Sequence, residues 1–161
     1  MHAGRWEILK VASGEPLSWF KELASEYVSS LPFELDFEDF ARELRELPGD
    51  YAPPGGLLIV AVWDGNPAGC VALRPFDGKT CEMKRMYVRP EFRGHGLGRA
   101  IAERAVAEAR RIGYEKMRLD TVASLKEANR MYEGMGFREI APYRHNPRPD
   151  ARYFELTLAP L

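Results

Sequence analysis

A chain of 161 residues that is 45% hydrophobic and 11% aromatic has the size of one domain and enough apolar side chains for a substantial core. Its formal charge of -1, from 23 Lys and Arg against 24 Asp and Glu, provides no overall field for nucleic acid or an anionic membrane, so any anion site must be local. No stretch approaches the roughly 20 apolar residues of a membrane helix, residues 1–10 lack an apolar signal core, and Cys70 and Cys81 belong to neither a C-x-x-C nor a Cys/His cluster, which argues against membrane, metal and redox classes.

Apolar positions Leu17, Phe20, Leu23, Ala24, Tyr27 and Val28 recur at three and four residues and predict an amphipathic helix over 17–31, ended by Pro32. A second helix is predicted over 37–47, behind Asp36 as N-cap and before Pro48-Gly49. Segment 48–56 holds three Pro and three Gly and reads as a loop. The continuous apolar run from Leu57 to Trp63 suits a buried strand. Turns at Asp64-Gly65-Asn66 and Asp77-Gly78 divide 57–63, 68–76 and 80–88 into an antiparallel meander. In that register Cys70 and Cys81 are several residues out of step, so no disulfide is expected.

Pro90 breaks the ladder, glycines crowd positions 94–98, and Leu97, Ile101, Ala105, Ala109 and Ile112 mark one face of a helix closed by Gly113. A strand over 116–122, a helix over 125–133 and two closing strands over 137–143 and 152–158 complete the chain. With no repeat and no linker, this order implies one α/β (α+β) domain, a mixed sheet with helices on both faces.

Strand, glycine-rich turn and helix together present unpaired backbone N–H groups and the positive end of a helix dipole to an anion, and phosphate is the natural guest. Gly94, Gly96 and Gly98 allow close backbone approach, while Arg93 and Arg99 add charge. Two nucleotide motifs are excluded by spacing: G-x-G-x-x-G needs glycine where Arg99 stands, and a Walker loop needs Gly-Lys-Ser/Thr. The spacing Arg93-x-x-Gly96-x-Gly98 instead resembles the R/Q-x-x-G-x-G/A signature of the GNAT superfamily of N-acetyltransferases. Met86-Tyr87-Val88-Arg89-Pro90-Glu91-Phe92 looks like the family's entry to that loop, and Ala128-x-x-x-Tyr132-x-x-x-Gly136-Phe137 looks like its second motif. The resemblance covers about residues 57–158 at the level of element order.

What the resemblance implies is a mixed, mostly antiparallel sheet of about six or seven strands, splayed in the middle and flanked by about four helices. Acetyl-CoA would be the cosubstrate, with no metal. Its pyrophosphate would lie on Arg93, Gly94, His95, Gly96, Leu97, Gly98 and Arg99, and its pantetheine arm and thioester carbonyl on the backbone of Met86, Tyr87 and Val88. Tyr132 matches the tyrosine placed near the CoA sulfur as general acid. A phenol near pKa 10 protonating a thiolate near 8.5 is uphill by about 2 kcal/mol, so a hydrogen bond to the developing charge serves as well as full transfer. The other reading of Tyr132 is an aromatic packed on Phe137. The family often has asparagine seven residues earlier, where this chain has Leu125; Asn129 lies on the face of Tyr132 and is the candidate substitute for that CoA contact.

Glu82 precedes Val88 by six residues on the same predicted strand and, by strict alternation, shares a face with Lys84, Met86 and Val88. Histone acetyltransferases resembling this pattern place a catalytic glutamate at that offset, so Glu82 is the candidate general base, acting through water. Its other reading is a strand carboxylate salt-bridged to Lys84 or Arg85. The resemblance puts the acceptor between the first helices and the last strands, the helices in 17–47 forming a lid over a CoA-binding core at 57–158. Candidate acceptor residues are Phe33, Glu34, Tyr143 and Asn146, a mixture suited to a small-molecule primary amine. Arg74 and Arg152 suit equally an acceptor carrying a carboxylate.

Direct transfer in a ternary complex is therefore expected, with a non-catalytic acyl-CoA-binding or sensing domain, or acetylation of a protein amino group, as the alternatives. Glu82 and Tyr132 favour catalysis. Reduced thiols suit the cytoplasm, pairing of the closing strands suits a homodimer, and neither a nucleic-acid nor a membrane partner is expected, the basic run from Lys84 to Arg99 being interrupted by Glu91.

Overall fold

The computed structural model describes residues 5–31, 37–146 and 148–158. Its strands are β1 (Trp6–Val11), β2 (Leu57–Trp63), β3 (Asn66–Pro75), β4 (Thr80–Val88), β5 (Lys116–Val122), β6 (Arg138–Ile140) and β7 (Ala151–Thr157). They form a seven-stranded sheet in the order β1-β2-β3-β4-β5-β7-β6. Helices α1 (Gly14–Ser30) and α2 (Phe37–Glu46) precede β2, α3 (Leu97–Ile112) joins β4 to β5, and α4 (Lys126–Gly134) joins β5 to β6. Every pairing is antiparallel except β4 with β5, whose parallel run needs the long α3 crossover. The expected mixed sheet with helices on both faces is what the chain builds. No helix among the described residues is long and apolar enough to cross a membrane.

The unbroken apolar run of β2 follows from burial on both sides. Leu57, Ile59 and Ala61 join Leu97, Ile101, Ala105 and Tyr132 on the α3/α4 face. Leu58 and Val60 join Phe20, Leu23 and Phe40 on the α1/α2 face. A strand covered twice has no side on which polar residues are tolerated. The same cause hides β1, for which no element is predicted: Trp6 and Ile8 pack on one face, Leu9 and Val11 on the other, so neither clean alternation nor a long apolar run marks it. Helix α1 starts at Gly14, ahead of the first periodic residue, and ends with Leu31 as its C-cap. Pro32, Phe33, Glu34 and Asp36 lie outside the described residues. Cys70 stands opposite Tyr87 and Cys81 opposite Pro75, and both are buried free thiols.

One local feature shapes the centre of the sheet. Between the pairs Cys70↔Tyr87 and Ala72↔Lys84, β4 carries one residue more than β3, and Arg85 adopts a left-handed φ of 60°. This β-bulge bends the strand and reverses its alternation. Cys81 and Met83 face α3, and so do Met86 and Val88, whereas Tyr87 faces α1. Glu82 and Lys84 therefore point to the α1 face, and the expectation that they share a face with Met86 and Val88 is overturned. Strand β5 pairs with β4 only at Thr80↔Lys116, Cys81↔Met117 and Glu82↔Arg118, while β7 holds it along its full length. Beyond Glu82 the two strands diverge.

Gly69 sets how closely α3 can lie on this bent strand. A Cβ there would stand 2.7 Å from both Ile101 Cδ1 and the Tyr87 carbonyl oxygen. Gly69→Ala is expected to cost about 1–3 kcal/mol through overpacking, seen as a lower urea midpoint with an unchanged slope.

Candidate active site

The glycine loop has the geometry of an anion cradle. Gly94 and Gly96 both hold left-handed φ values, 85° and 86°, which a side chain would oppose, and Gly96 is the N-cap of α3. The first loop-to-helix bond is from Ala100 N–H to the Gly96 carbonyl, so the amides of Leu97, Gly98 and Arg99 have no intrahelical acceptor. Arg93 Nε–H donates to the Val88 carbonyl at 2.8 Å, which ties the loop to the end of β4, and its guanidinium lies 5.8 Å from the Tyr87 ring centre.

From this loop a cavity of about 500 Å³ passes through the gap between β4 and β5, a volume ordinary for a small-ligand site. Arg93, Gly94, Gly96, Leu97 and Gly98 line one end; Met86, Tyr87, Val88, Met131 and Tyr132 line the middle; Tyr27, Lys84, Arg85 and Asp120 line the α1 side. With β5 gone beyond Glu82, the edge of β4 that runs past the bulge offers backbone donors and acceptors to the cavity instead of to a strand. Of the residues singled out for the cosubstrate, His95, Arg99 and Asn129 do not line it. His95 packs edge-on against Trp63, ring centres 5.0 Å apart, and Arg99 pairs with Glu103 at 2.7 Å.

Asn129 is buried, and its amide is committed: Nδ2 donates to the Val122 carbonyl at 2.9 Å and Oδ1 accepts from Thr121 Oγ1 at 3.0 Å. It fastens α4 to the end of β5 and does not line the cavity, unlike the substitute CoA contact expected of it. Leu125, the N-cap of α4, does line the cavity. Tyr132 is 6% exposed, its ring edge-on to Phe137 with centres 5.7 Å apart. The packing reading of Tyr132 describes its ring, and the residue also borders the cavity. Burial pushes its phenol well above the usual tyrosine range, so it stays protonated.

On the α1 face stand charged groups that sequence reasoning passed over, as with Asp120, or took only as partners of Glu82, as with Lys84 and Arg85. Lys84 Nζ donates to Asp120 Oδ1 at 3.2 Å, bridging β4 and β5 just where they part. Burial pushes the Lys84 ammonium down against the pull of Asp120. Burial pushes the Asp120 carboxyl up, but the Lys84 charge and hydrogen bond outweigh it and hold the group below the ordinary range. Arg85, turned out by the bulge, meets Glu43 of α2 through Nε and Nη2 at 3.1 and 3.2 Å and lies over the Phe40 ring. Asp120 carried no signal beyond being an acid on a predicted strand.

Glu82 is 1% exposed and lies outside the cavity lining. Oε1 accepts from Arg74 Nε at 3.0 Å; Oε2 accepts from Tyr143 Oη at 3.1 Å and pairs with Arg144. The expected partners Lys84 and Arg85 are engaged elsewhere. The loop after β6 therefore folds over the end of the sheet, with Asn146 Nδ2 3.4 Å from Asp120 Oδ2. Arg152 instead joins Glu133 and Glu139.

A phosphate cradle opening into a splayed sheet is a site for a long phosphorylated arm. The sequence pattern of the acetyltransferase (GNAT) family matches residues 17–137, three quarters of the chain. The chain belongs to the GNAT acetyltransferase family. This acetyltransferase is 40% identical over 147 residues to an uncharacterised N-acetyltransferase of Schizosaccharomyces pombe, spanning 90% of each protein. It is 38% identical over 98 residues to the N-acetylaspartate synthetase of Rattus norvegicus, spanning 60% of this chain and 33% of that one. Its fold matches, with a TM-score of 0.70 and 24% identity over 96% of this chain and 94% of the other, an acetyltransferase from Salmonella typhimurium whose structure contains acetyl-CoA. The acetyltransferase presents free amides at the start of α3 beside Arg93, and a β4 edge left open where β5 departs. Among its described residues no group of three or more His, Cys, Asp and Glu side chains forms a metal-binding arrangement.

Proposed function

We infer that this acetyltransferase moves the acetyl group of acetyl-CoA directly to the primary amine of a small molecule, with both substrates bound at once. The observation that carries this reading is the passage through the sheet, which joins the phosphate cradle on the α3 face to a polar floor at Lys84 and Asp120 on the α1 face. The rat relative's name, N-acetylaspartate synthetase, denotes a small acetylated amine as product and supports the same class here.

Bound acetyl-CoA supplies the acetyl group as a thioester. The backbone beyond the Arg85 bulge holds the carbonyl, Tyr132 donates its phenol hydrogen to the departing sulfur, and Asp120 accepts a hydrogen bond from the incoming amine. Neutralising an alkylammonium of pKa 10.4 at pH 7 costs about 4.6 kcal/mol. Asp120 takes the proton as the amine is neutralised and, held low in pKa, passes it on to water rather than keeping it. Glu82, the base expected from strand position, has both oxygens engaged by Arg74, Arg144 and Tyr143, and is assigned the positioning of that cluster.

The test is thiol release from acetyl-CoA across a panel of primary amines, where amine-dependent release is expected. Binding of acetyl-CoA with no release above background for any amine would overturn the reading. Asp120→Asn should lower kcat/KM for the amine about a hundredfold while leaving acetyl-CoA affinity unchanged. Equal loss in both would place Asp120 in cosubstrate binding instead.

A further inference from the structure

The cluster that runs from the cavity floor at Lys84 and Asp120 to Glu82 behind it has one more positive charge than its internal pairing uses. Three cations, Arg74, Lys84 and Arg144, meet two carboxylates, Glu82 and Asp120. Glu43 is taken by Arg85, and Glu155 is shared by Arg118 and Lys116, so neither carboxylate offsets the surplus. The carboxylates are 2% and 16% exposed and the cations 15%, 23% and 30%, so water screens the surplus only in part and leaves it a cost. An anion entering from the cavity removes that cost.

Hydrogen bonding points the same way. Arg144 reaches Glu82 through Nη2, but its Nε is closed off from solvent and has no hydrogen-bond partner among the described residues. A buried guanidinium N–H left without an acceptor is the feature expected where a ligand oxygen completes the site. Arg144 stands between the two carboxylates, paired with Glu82 and acting through its charge on Asp120. The second unfinished position is on Asp120. Its Oδ1 holds Lys84, while Oδ2 has only the long 3.4 Å contact from Asn146. The cluster thus offers one unengaged donor, on Arg144, and one under-used acceptor, on Asp120 at the cavity, the latter in contact with Asn146 two residues from Arg144.

A plain alkylamine satisfies the acceptor alone and adds to the positive surplus. A zwitterion satisfies both. We propose that the acceptor is an amino acid, its amino group held at Asp120 Oδ2 and its carboxylate drawn by Lys84 and Arg144. This rests on the acetyl-transfer reading for its site but not for its test.

The test is equilibrium binding to the full chain saturated with CoA, by calorimetry, of L-amino acids and of the corresponding α-carboxamides. Charge-assisted bonds to the carboxylate should make at least one amino acid bind about tenfold or more tightly than its carboxamide. Arg144→Gln should remove most of that preference, with CoA affinity unchanged as the measure of an intact fold, and Arg144→Lys should keep part of it. Equal binding of acid and amide, binding of amines without a carboxylate only, or an undiminished preference in Arg144→Gln would each overturn the proposal. The outcomes separate the two claims. Acetylation of amines with no preference for a carboxylate contradicts the amino-acid site and leaves acetyl transfer standing; carboxylate-dependent binding with no thiol release does the reverse.

Discussion

Gly96→Glu is expected to lower acetyl-CoA affinity by at least about a hundredfold, because two separate costs fall on one position. Gly96 holds φ at 86° as the N-cap of α3. Any L side chain in that left-handed conformation costs about 1–2 kcal/mol. Nothing lies within 4 Å of the Cβ position, so steric crowding adds nothing. The larger cost is electrostatic: a carboxylate about 4 Å from a phosphate charge is repelled by about 4 kcal/mol at an effective dielectric near 20. Gly96→Ala isolates the first cost and should weaken binding by about tenfold or more. Calorimetry with acetyl-CoA distinguishes the two, and unaltered affinity in Gly96→Glu would remove the loop from pyrophosphate binding.

Tyr132→Phe should lower kcat by about tenfold to a hundredfold, the loss of one hydrogen bond to a charged group. Acetyl-CoA affinity and thermal stability at neutral pH should hold, because the ring that packs on Phe137 and Phe154 remains. Burial raises the phenol pKa in the folded state, so the stability linked to this group is full below the unfolded value near 10 and is lost as pH rises beyond it. Above about pH 10 the wild-type protein should therefore lose stability more steeply than Tyr132→Phe. An unchanged kcat would reduce the residue to its packing role.

The parts legible in sequence were those written in glycine spacing and helical period. The turn at Gly94 and Gly96 and the α3 face from Leu97 to Ile112 depend on local backbone rules and stand where those rules require, whereas Tyr132 was marked by the family resemblance alone. The face of Glu82 was misjudged because alternation assumes a regular strand, and one left-handed residue, Arg85, reverses it. Nothing in the identity of an arginine announces a positive φ. Asn129 drew attention through helical geometry, yet its amide is taken by Val122 and Thr121, a tertiary fact with no local mark. Asp120 and Arg144 escaped for the same reason: their meeting depends on β5 pairing with β7 and on a loop folding back over the sheet.

Direct transfer across the opened sheet is tested most sharply by a single-turnover experiment with labelled acetyl-CoA held below the protein concentration. N-acetylated product and free CoA should appear together, in equal amounts, only after amine is added, with no labelled protein beforehand. Acetyl group accumulating covalently on the protein before amine arrives, or acetyl-CoA remaining intact in its presence, would contradict transfer between two substrates bound on opposite faces of the β4/β5 gap.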